Sequence, residues 1–164
     1  MSIAESIMQE FALEAGTTQK YMERLPDDKL AWKPHEKSMS LARLATHVAE
    51  IPSWIRIIVS SDELDLAARE PRPQELNSQK EIFDIFRAQV EDSKKALAGK
   101  NDQELMLPWK LKMGSQVILE LPRAVALRSL VMNHFIHHRG QLSVYLRLSG
   151  VPVPATYGPS ADES

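Results

Sequence analysis

The stretch NHFIHHRGQLSVY, residues 133–145, decides both the fold and the candidate site of this chain. It places three of the five histidines, His134, His137 and His138, close together and follows them directly with Arg139. In an α-helix, side chains four residues apart differ by about 40° around the axis, and those three apart by about 60°. His134 and His138 are therefore predicted to point the same way, one helical turn apart. Two histidines in this arrangement can bind one metal ion.

The helix that contains this stretch is predicted to begin at Pro122 and to run to Ser149, with Gly150 as its stop. One inward seam of this helix combines apolar residues with histidines: Leu127, Val131, His134, His138, Tyr145 and Leu148. A second apolar edge includes His137, which could pair with His134 at spacing three. We prefer His138 because it lies nearer the direction of His134. His137 then faces another helix, a subunit contact or solvent.

Three more amphipathic helices are predicted upstream. They cover residues 3–25, residues 38–61 with a kink at Pro52, and residues 78–99. The acidic and proline-containing residues 62–76 are interpreted as a long connection across a bundle. This pattern predicts one domain over residues 1–164, an all-α four-helix bundle with a long crossover.

Two other segments depart from the helical pattern. Residues 101–121 alternate apolar and polar side chains around Gly114, which predicts a small hairpin or extended excursion before the last helix. The proline-rich tail that follows Gly150 is predicted to lie irregularly on the surface.

Composition excludes several classes of protein. The chain has 164 residues, 43% hydrophobic and 26% charged, with a net charge of −2 and no cysteine. This balance lacks the basic footprint of a nucleic-acid-binding protein. A metal would need His, Asp, Glu or water as ligands, since thiolates are excluded. The acidic N-terminal region does not resemble a signal peptide, and no apolar run approaches the roughly 18 residues of a membrane span. We expect a cytoplasmic protein with no membrane or nucleic-acid partner.

Motifs exclude further classes of enzyme. Phe135 stands where the zinc-peptidase motif H-E-x-x-H requires glutamate. The two Glu-x-x-His motifs of a di-iron bundle and the Gly-x-Ser-x-Gly elbow of serine hydrolases are also absent.

A third histidine, His47, lies beside the apolar stripe of the second helix. Alone, such a histidine is ordinarily a hydrogen-bonded boundary residue. His134 and His138 would lose water on an inward seam without an obvious polar partner, which is costly, and a metal would supply that partner. Together, the three imidazoles match a catalytic metal site that keeps a coordination position open.

Other polar residues near these histidines have alternative roles. Glu50, one turn after His47, is the candidate catalytic residue: a fourth ligand, a partner for an imidazole N–H, or a general base for bound water. A solvated helix acid is its ordinary alternative. Arg139 and Gln141 could anchor a substrate, although a structural salt bridge is the more ordinary role of Arg139. Tyr145 is either a hydrogen-bond donor to the pocket or a core aromatic.

These motifs resemble the DinB-like family, also called DinB/YfiT-like metalloenzymes, which is unrelated to the DNA polymerase of that name. Residues 133–163 resemble its C-terminal signature, H-x-x-x-H-R-G-Q followed by Tyr-Leu-Arg and a Val-Pro segment. The stretch LARLATHVAEIPSW, residues 41–54, resembles the second-helix motif that supplies the first histidine.

The resemblance implies a four-helix bundle, frequent homodimers, and a divalent transition metal held by His47, His134 and His138. Nickel or zinc is the usual metal, with iron or manganese as further candidates. Similar proteins include thiol S-transferases that use bacillithiol or mycothiol, and a mycothiol-dependent maleylpyruvate isomerase. We therefore expect a metal-dependent enzyme acting on a small molecule, with a low-molecular-weight thiol as cosubstrate.

Three alternatives remain open at this point. The first is a metal-dependent hydrolase in which Glu50 moves the proton. The second is a non-catalytic dimeric bundle with a structural or sensory metal. The third is a bundle without metal, whose histidines are satisfied by hydrogen bonds.

Overall fold

The computed structural model describes residues 1–68 and 76–163. Its helices are α1 (Ile3–Met22), α2 (Leu41–Glu50), α3 (Ser53–Ser60), α4 (Gln79–Leu97), α5 (Asp102–Met106), α6 (Arg123–Ala126) and α7 (Asn133–Leu148). A π-helical segment, Leu127–Met132, joins α6 to α7 through residues of helical geometry. The strands are β1 (Glu63–Asp65), β2 (Pro108–Met113) and β3 (Gln116–Pro122).

The predicted fold, an all-α four-helix bundle, is wrong, because the described residues contain more than four helices and also form a three-stranded mixed sheet in the order β1-β2-β3. Strands β2 and β3 pair antiparallel and turn at Gly114, whose φ is +60°, so this segment does contain a hairpin. Strand β1 then pairs parallel with β2, with Glu63 opposite Lys110. The residues directly after α3 therefore form a strand of the sheet, and the architecture combines helices and strands.

Polar contacts hold β1 in place. The Lys112 ammonium lies 3.0 Å from a Glu63 carboxylate oxygen. The Asp65 carboxylate accepts hydrogen bonds from the backbone N–H groups of Ala67 and Gly114, at 2.9 and 2.8 Å. Residues 62–76 were interpreted as a connection, which is wrong over β1. The remainder of that connection, residues 69–75, lies outside the described residues.

The predicted kink at Pro52 is a break between α2 and α3. Proline lacks the N–H that would continue the helical hydrogen bonds. Helix α2 therefore ends at Glu50, and α3 begins at Ser53. The buried Ser93 hydroxyl of α4 donates a hydrogen bond to the Pro52 carbonyl at 2.6 Å. This bond ties the break between α2 and α3 to α4.

Helix α7 packs against α1 and α2. Its buried stripe consists of Phe135, Arg139, Leu142 and Leu146. These positions point about 110° away from His134 around the helix axis, so the histidines flank the core rather than enter it. Leu148 falls on the far side and is 58% exposed, so its predicted place on the inward seam is wrong. No helix in the described parts of the chain is long and apolar enough to span a bilayer.

Candidate metal centre

The structure brings together the three histidines that the sequence singled out. His47 extends from α2, and His134 and His138 extend from successive turns of α7. One nitrogen of each imidazole lies within 4.8 Å of the corresponding nitrogens of the other two. The three ring centroids are 4.5 to 4.9 Å apart, and all three side chains are half-buried. The cluster therefore lies at the boundary between core and solvent.

The spacing of the nitrogens fits a shared divalent ion. Nε2 of His47 lies 3.1 Å from Nε2 of His134. Two nitrogens that each bind one zinc ion at about 2.0–2.1 Å are about 3.4 Å apart at a tetrahedral angle and about 2.9 Å apart at a right angle. The observed separation falls between these two values. In the metal-free protein, the same separation allows a hydrogen bond between the two imidazoles.

The two histidines of α7 also have partners on the side away from the cluster. Nδ1 of His138 lies 2.7 Å from the Gln141 amide oxygen. The backbone carbonyl of Leu130 is a hydrogen-bond partner of the His134 ring. Acceptors in these positions orient metal-binding imidazoles and leave the second ring nitrogen for the ion.

Burial favours the neutral form of the His134 and His138 imidazoles, which is the form that binds a metal. Burial lowers the pKa of His134, and the neighbouring imidazoles of His138 and His137 lower it further, while the hydrogen bond to Leu130 opposes the shift. Burial also lowers the pKa of His138, and the neighbouring His137 imidazole lowers it further, while the hydrogen bond that the His138 ring donates to the Gln141 amide oxygen opposes the shift. Burial disfavours the imidazolium because the charged ring loses water.

In the metal-free protein, we expect His134 and His138 to titrate below the ordinary histidine pKa of 6.5. The folded protein then binds fewer protons than the unfolded chain, so the free energy of unfolding falls as the pH drops below about 6.5. Imidazole NMR titration of the folded protein, with the urea-unfolded chain as reference, measures the shift directly. Folded-state titration at or above the reference would contradict the predicted direction.

Glu50, the predicted catalytic residue, lies against an arginine. Its carboxylate is 3.9 Å from the Arg43 guanidinium. These residues are seven positions apart on α2, so their charged groups meet over the turn that holds His47. The Glu50 carboxylate belongs to a residue three positions after His47, but it is paired with the Arg43 cation. Its role as a general base stays a prediction.

His137 and Tyr145 do not belong to the group of histidines that could share an ion. His137 is exposed, and its ring centroid lies 4.8 Å from that of His138. The Tyr145 hydroxyl donates to the Met39 carbonyl at 3.1 Å, and its ring meets Trp32 edge-on at 5.7 Å. Tyr145 therefore takes the packing role that was one of its two predicted alternatives.

Arg139 forms the structural ion pair that was its more ordinary predicted role, but its partners were not foreseen. Its guanidinium is 2% exposed and donates to Glu14 Oε2 at 2.5 Å. It also donates to the Tyr157 hydroxyl at 2.5 Å, and that hydroxyl donates to Glu14 at 2.9 Å. We call Glu14, Arg139 and Tyr157 the arginine cluster. It links α1, α7 and the C-terminal tail, so the tail is irregular but anchored.

The π-helical segment immediately before the site was also missed. Its register is seen where the N–H of Asn133 donates to the Arg128 carbonyl, five residues earlier. A π-helical turn holds one more residue than an α-helical turn and is frequent near functional sites. The extra residue changes the phase of the helix between Leu127 and His134. No residue type in the segment indicates this change. The predicted seam assumed 3.6 residues per turn throughout and therefore did not include the change of phase.

Comparison with known proteins finds similarity over all or nearly all of this chain. The family model described as "DinB family" matches residues 1–164. The uncharacterized protein YrdA of Bacillus subtilis (strain 168) is 28% identical over 163 residues, 97% of this chain and 90% of YrdA. A DinB-like protein from Bacillus cereus ATCC 10987 has a crystal structure with a TM-score of 0.71 and 27% identity, covering 93% of this chain and 97% of that one. YjoA, a DinB-like protein of Bacillus subtilis, shares the fold with a TM-score of 0.72 at 21% identity, over 92% of this chain and 97% of its own.

Proposed function

This chain belongs to the DinB family, and from that premise we propose that it is a divalent-metal-dependent enzyme. The observation that carries the proposal is the convergence of His47, His134 and His138, with candidate ligand atoms within 4.8 Å of one another. Three protein ligands leave at least one coordination position for water or substrate. When bound, the ion would act as a Lewis acid and make a coordinated water or thiol more acidic.

The donor set supports a particular group of metals. Imidazole suits zinc and nickel, as well as iron and copper, whereas manganese and magnesium favour oxygen ligands. We propose nickel or zinc as the resident ion. The lowered pKa values of His134 and His138 support metal binding because less proton release is needed near neutral pH.

We propose thiol transfer rather than hydrolysis as the reaction. The pKa of a thiol is about 8.5, far below that of bulk water, so a thiol depends less on a protein base to lose its proton. The nearest predicted base, Glu50, is paired with Arg43 at 3.9 Å, which supports the reaction that needs it less. In the transfer, the thiol loses its S–H proton and its sulfur bonds to an electrophilic carbon. The S–H proton goes to solvent. With a chloronitrobenzene, the carbon–chlorine bond breaks and chloride leaves with its electron pair; with an epoxide, the carbon–oxygen bond breaks and the ring oxygen keeps the electron pair and takes up a proton.

We expect the metal-loaded protein to accelerate transfer of a low-molecular-weight thiol to chloronitrobenzene or epoxide electrophiles. His138→Ala should abolish turnover while the folded structure remains, because the cluster loses one imidazole. Thiol consumption and conjugate formation, followed by mass spectrometry, measure the reaction. Circular dichroism of the variant establishes that it is folded.

Glu50→Gln separates thiol transfer from hydrolysis. Loss of a general base lowers a rate by about 10²- to 10⁴-fold. We expect turnover of the thiol reaction to stay within about threefold, since Glu50 takes no proton in it. A different result would overturn thiol transfer in favour of a hydrolase. In that case the wild type hydrolyses esters and transfers no thiol, and Glu50→Gln lowers the hydrolysis rate by about 10²- to 10⁴-fold.

We also propose a cytoplasmic homodimer. Cytoplasmic thiols are kept reduced, as the proposed cosubstrate requires. Val144 and Leu148 lie one turn apart on α7 and are 55% and 58% exposed, so they offer an apolar surface for a second copy. Light scattering should give twice the monomer mass of 18.5 kDa. A monomer at micromolar concentration would contradict this part of the proposal.

A further inference from the structure

Gln141 lies on α7, three residues after His138, at the edge of the cluster. Its amide oxygen is 2.7 Å from Nδ1 of His138, a short hydrogen bond for an exposed side chain. An amide oxygen can only accept, so the facing Nδ1 carries the proton. A neutral imidazole has one ring proton, and the second nitrogen, Nε2, then keeps its lone pair. Gln141 therefore selects which nitrogen of His138 is free.

We propose that Gln141 is a positioning residue for the metal site. It holds His138 as the Nδ1–H tautomer and fixes the ring so that Nε2 serves the cluster formed with His47 and His134. The ring centroid of His138 lies 4.5 Å from that of His47 and 4.6 Å from that of His134. This inference rests on the proposed function, because the freed nitrogen is of use where an ion is bound.

The two histidines of α7 are supported in different ways. His134 has a backbone partner, the Leu130 carbonyl, which no side-chain substitution removes. His138 instead depends on a side chain that is exposed and therefore free to vary without disturbing the core. Partners of this kind commonly change metal affinity by about 10- to 100-fold when removed. Gln141 is thus the point at which the affinity of this site can be tuned.

The first test uses metal-free protein and detects the tautomer. Nitrogen-15 NMR of the imidazole rings should show Nδ1–H at His138 in the wild type. Gln141→Met keeps the length of the side chain but replaces the amide oxygen with a thioether sulfur, a much weaker acceptor, so the population should shift towards Nε2–H, the tautomer that free histidine favours. Gln141→Glu should restore Nδ1–H. An unchanged tautomer in Gln141→Met, or Nε2–H in the wild type, would overturn the inference.

The second test measures zinc affinity by competition with a chromogenic chelator. Gln141→Met should weaken binding by about 10- to 100-fold, and Gln141→Glu should bind at least as tightly as the wild type. Gln9→Met, an exposed glutamine on α1 outside the cluster, is the matched control and should bind like the wild type. Thermal unfolding of the metal-free variants should be unchanged, which separates positioning from folding.

The outcomes distinguish this inference from the proposed function. The wild type and Gln141→Met could both bind zinc tightly and equally well. That result would overturn the positioning role of Gln141 but not the metal site. A wild type that binds neither zinc nor nickel overturns the proposed function, and the role of Gln141 falls with it. Equal loss in Gln141→Met and Gln9→Met would show a general effect of methionine and would also overturn the inference.

Discussion

Replacing Arg139 with Met is expected to lower the free energy of unfolding by about 3–5 kcal/mol, as for other buried ion pairs that lose one partner. The Arg139 side chain is 2% exposed and that of Glu14 is 10% exposed. The substitution would leave the Glu14 carboxylate in the core without its cation. It would also remove the donor to the Tyr157 hydroxyl, which anchors the tail.

Arg147→Met on the same helix is the matched control. Arg147 pairs with Asp162, but its side chain is 47% exposed, and exposed pairs contribute about 0–1 kcal/mol. Urea unfolding of both variants gives the comparison. The double variant Arg139→Met/Glu14→Leu should recover much of the loss, because it removes the uncompensated charge. Equal and small losses in Arg139→Met and Arg147→Met would contradict the role of the arginine cluster.

The second large effect concerns the choice between neighbouring histidines. Loss of a residue that only supports a ligand weakens metal binding by about 10- to 100-fold. His138→Ala should weaken zinc binding by more than this, since it removes a ligand itself. His137→Ala should bind zinc within about threefold of the wild type. His137 is exposed, and it lies outside the group of His47, His134 and His138 that could share an ion. Competition with a chelator measures both affinities in parallel.

The reverse pattern would contradict the assignment of ligands. Tight binding by His138→Ala and loss in His137→Ala would mean that the helix presents its histidines at spacing three. Comparable losses in both would indicate that either imidazole can complete the site. Circular dichroism of each variant shows that the change lies in the site, because neither side chain belongs to the buried stripe of α7.

The histidine cluster could be predicted because its signal is local and its elements are long. His134 and His138 share a direction through helix geometry alone, and the kink at Pro52 follows from a missing N–H. The third histidine came from an apolar stripe on a separate helix, which has to face the same core. The direction shared by His134 and His138 does not depend on how distant segments meet, whereas the place of His47 does, and the family resemblance supplied it.

The missed features depend on distant pairing or on small changes of register. Strand β1 has three residues in an acidic segment, and its pairing with β2 is set by contacts such as that of Lys112 with Glu63. Glu14 has the sequence context of a solvated helix acid, yet its side chain is only 10% exposed, and the Arg139 guanidinium lies against its carboxylate. The π-helical segment has no residue signature, so the phase change before His134 is visible only in three dimensions.

Elemental analysis of protein purified without a His-tag or chelator tests the metal site most directly. We expect about one equivalent of nickel or zinc in the wild type and less than about a tenth of an equivalent in His134→Ala prepared in parallel. A wild type with less than about a tenth of an equivalent, and no uptake when zinc or nickel is added back, would contradict the metal site. The three histidines would then be hydrogen-bonded residues at the edge of the core.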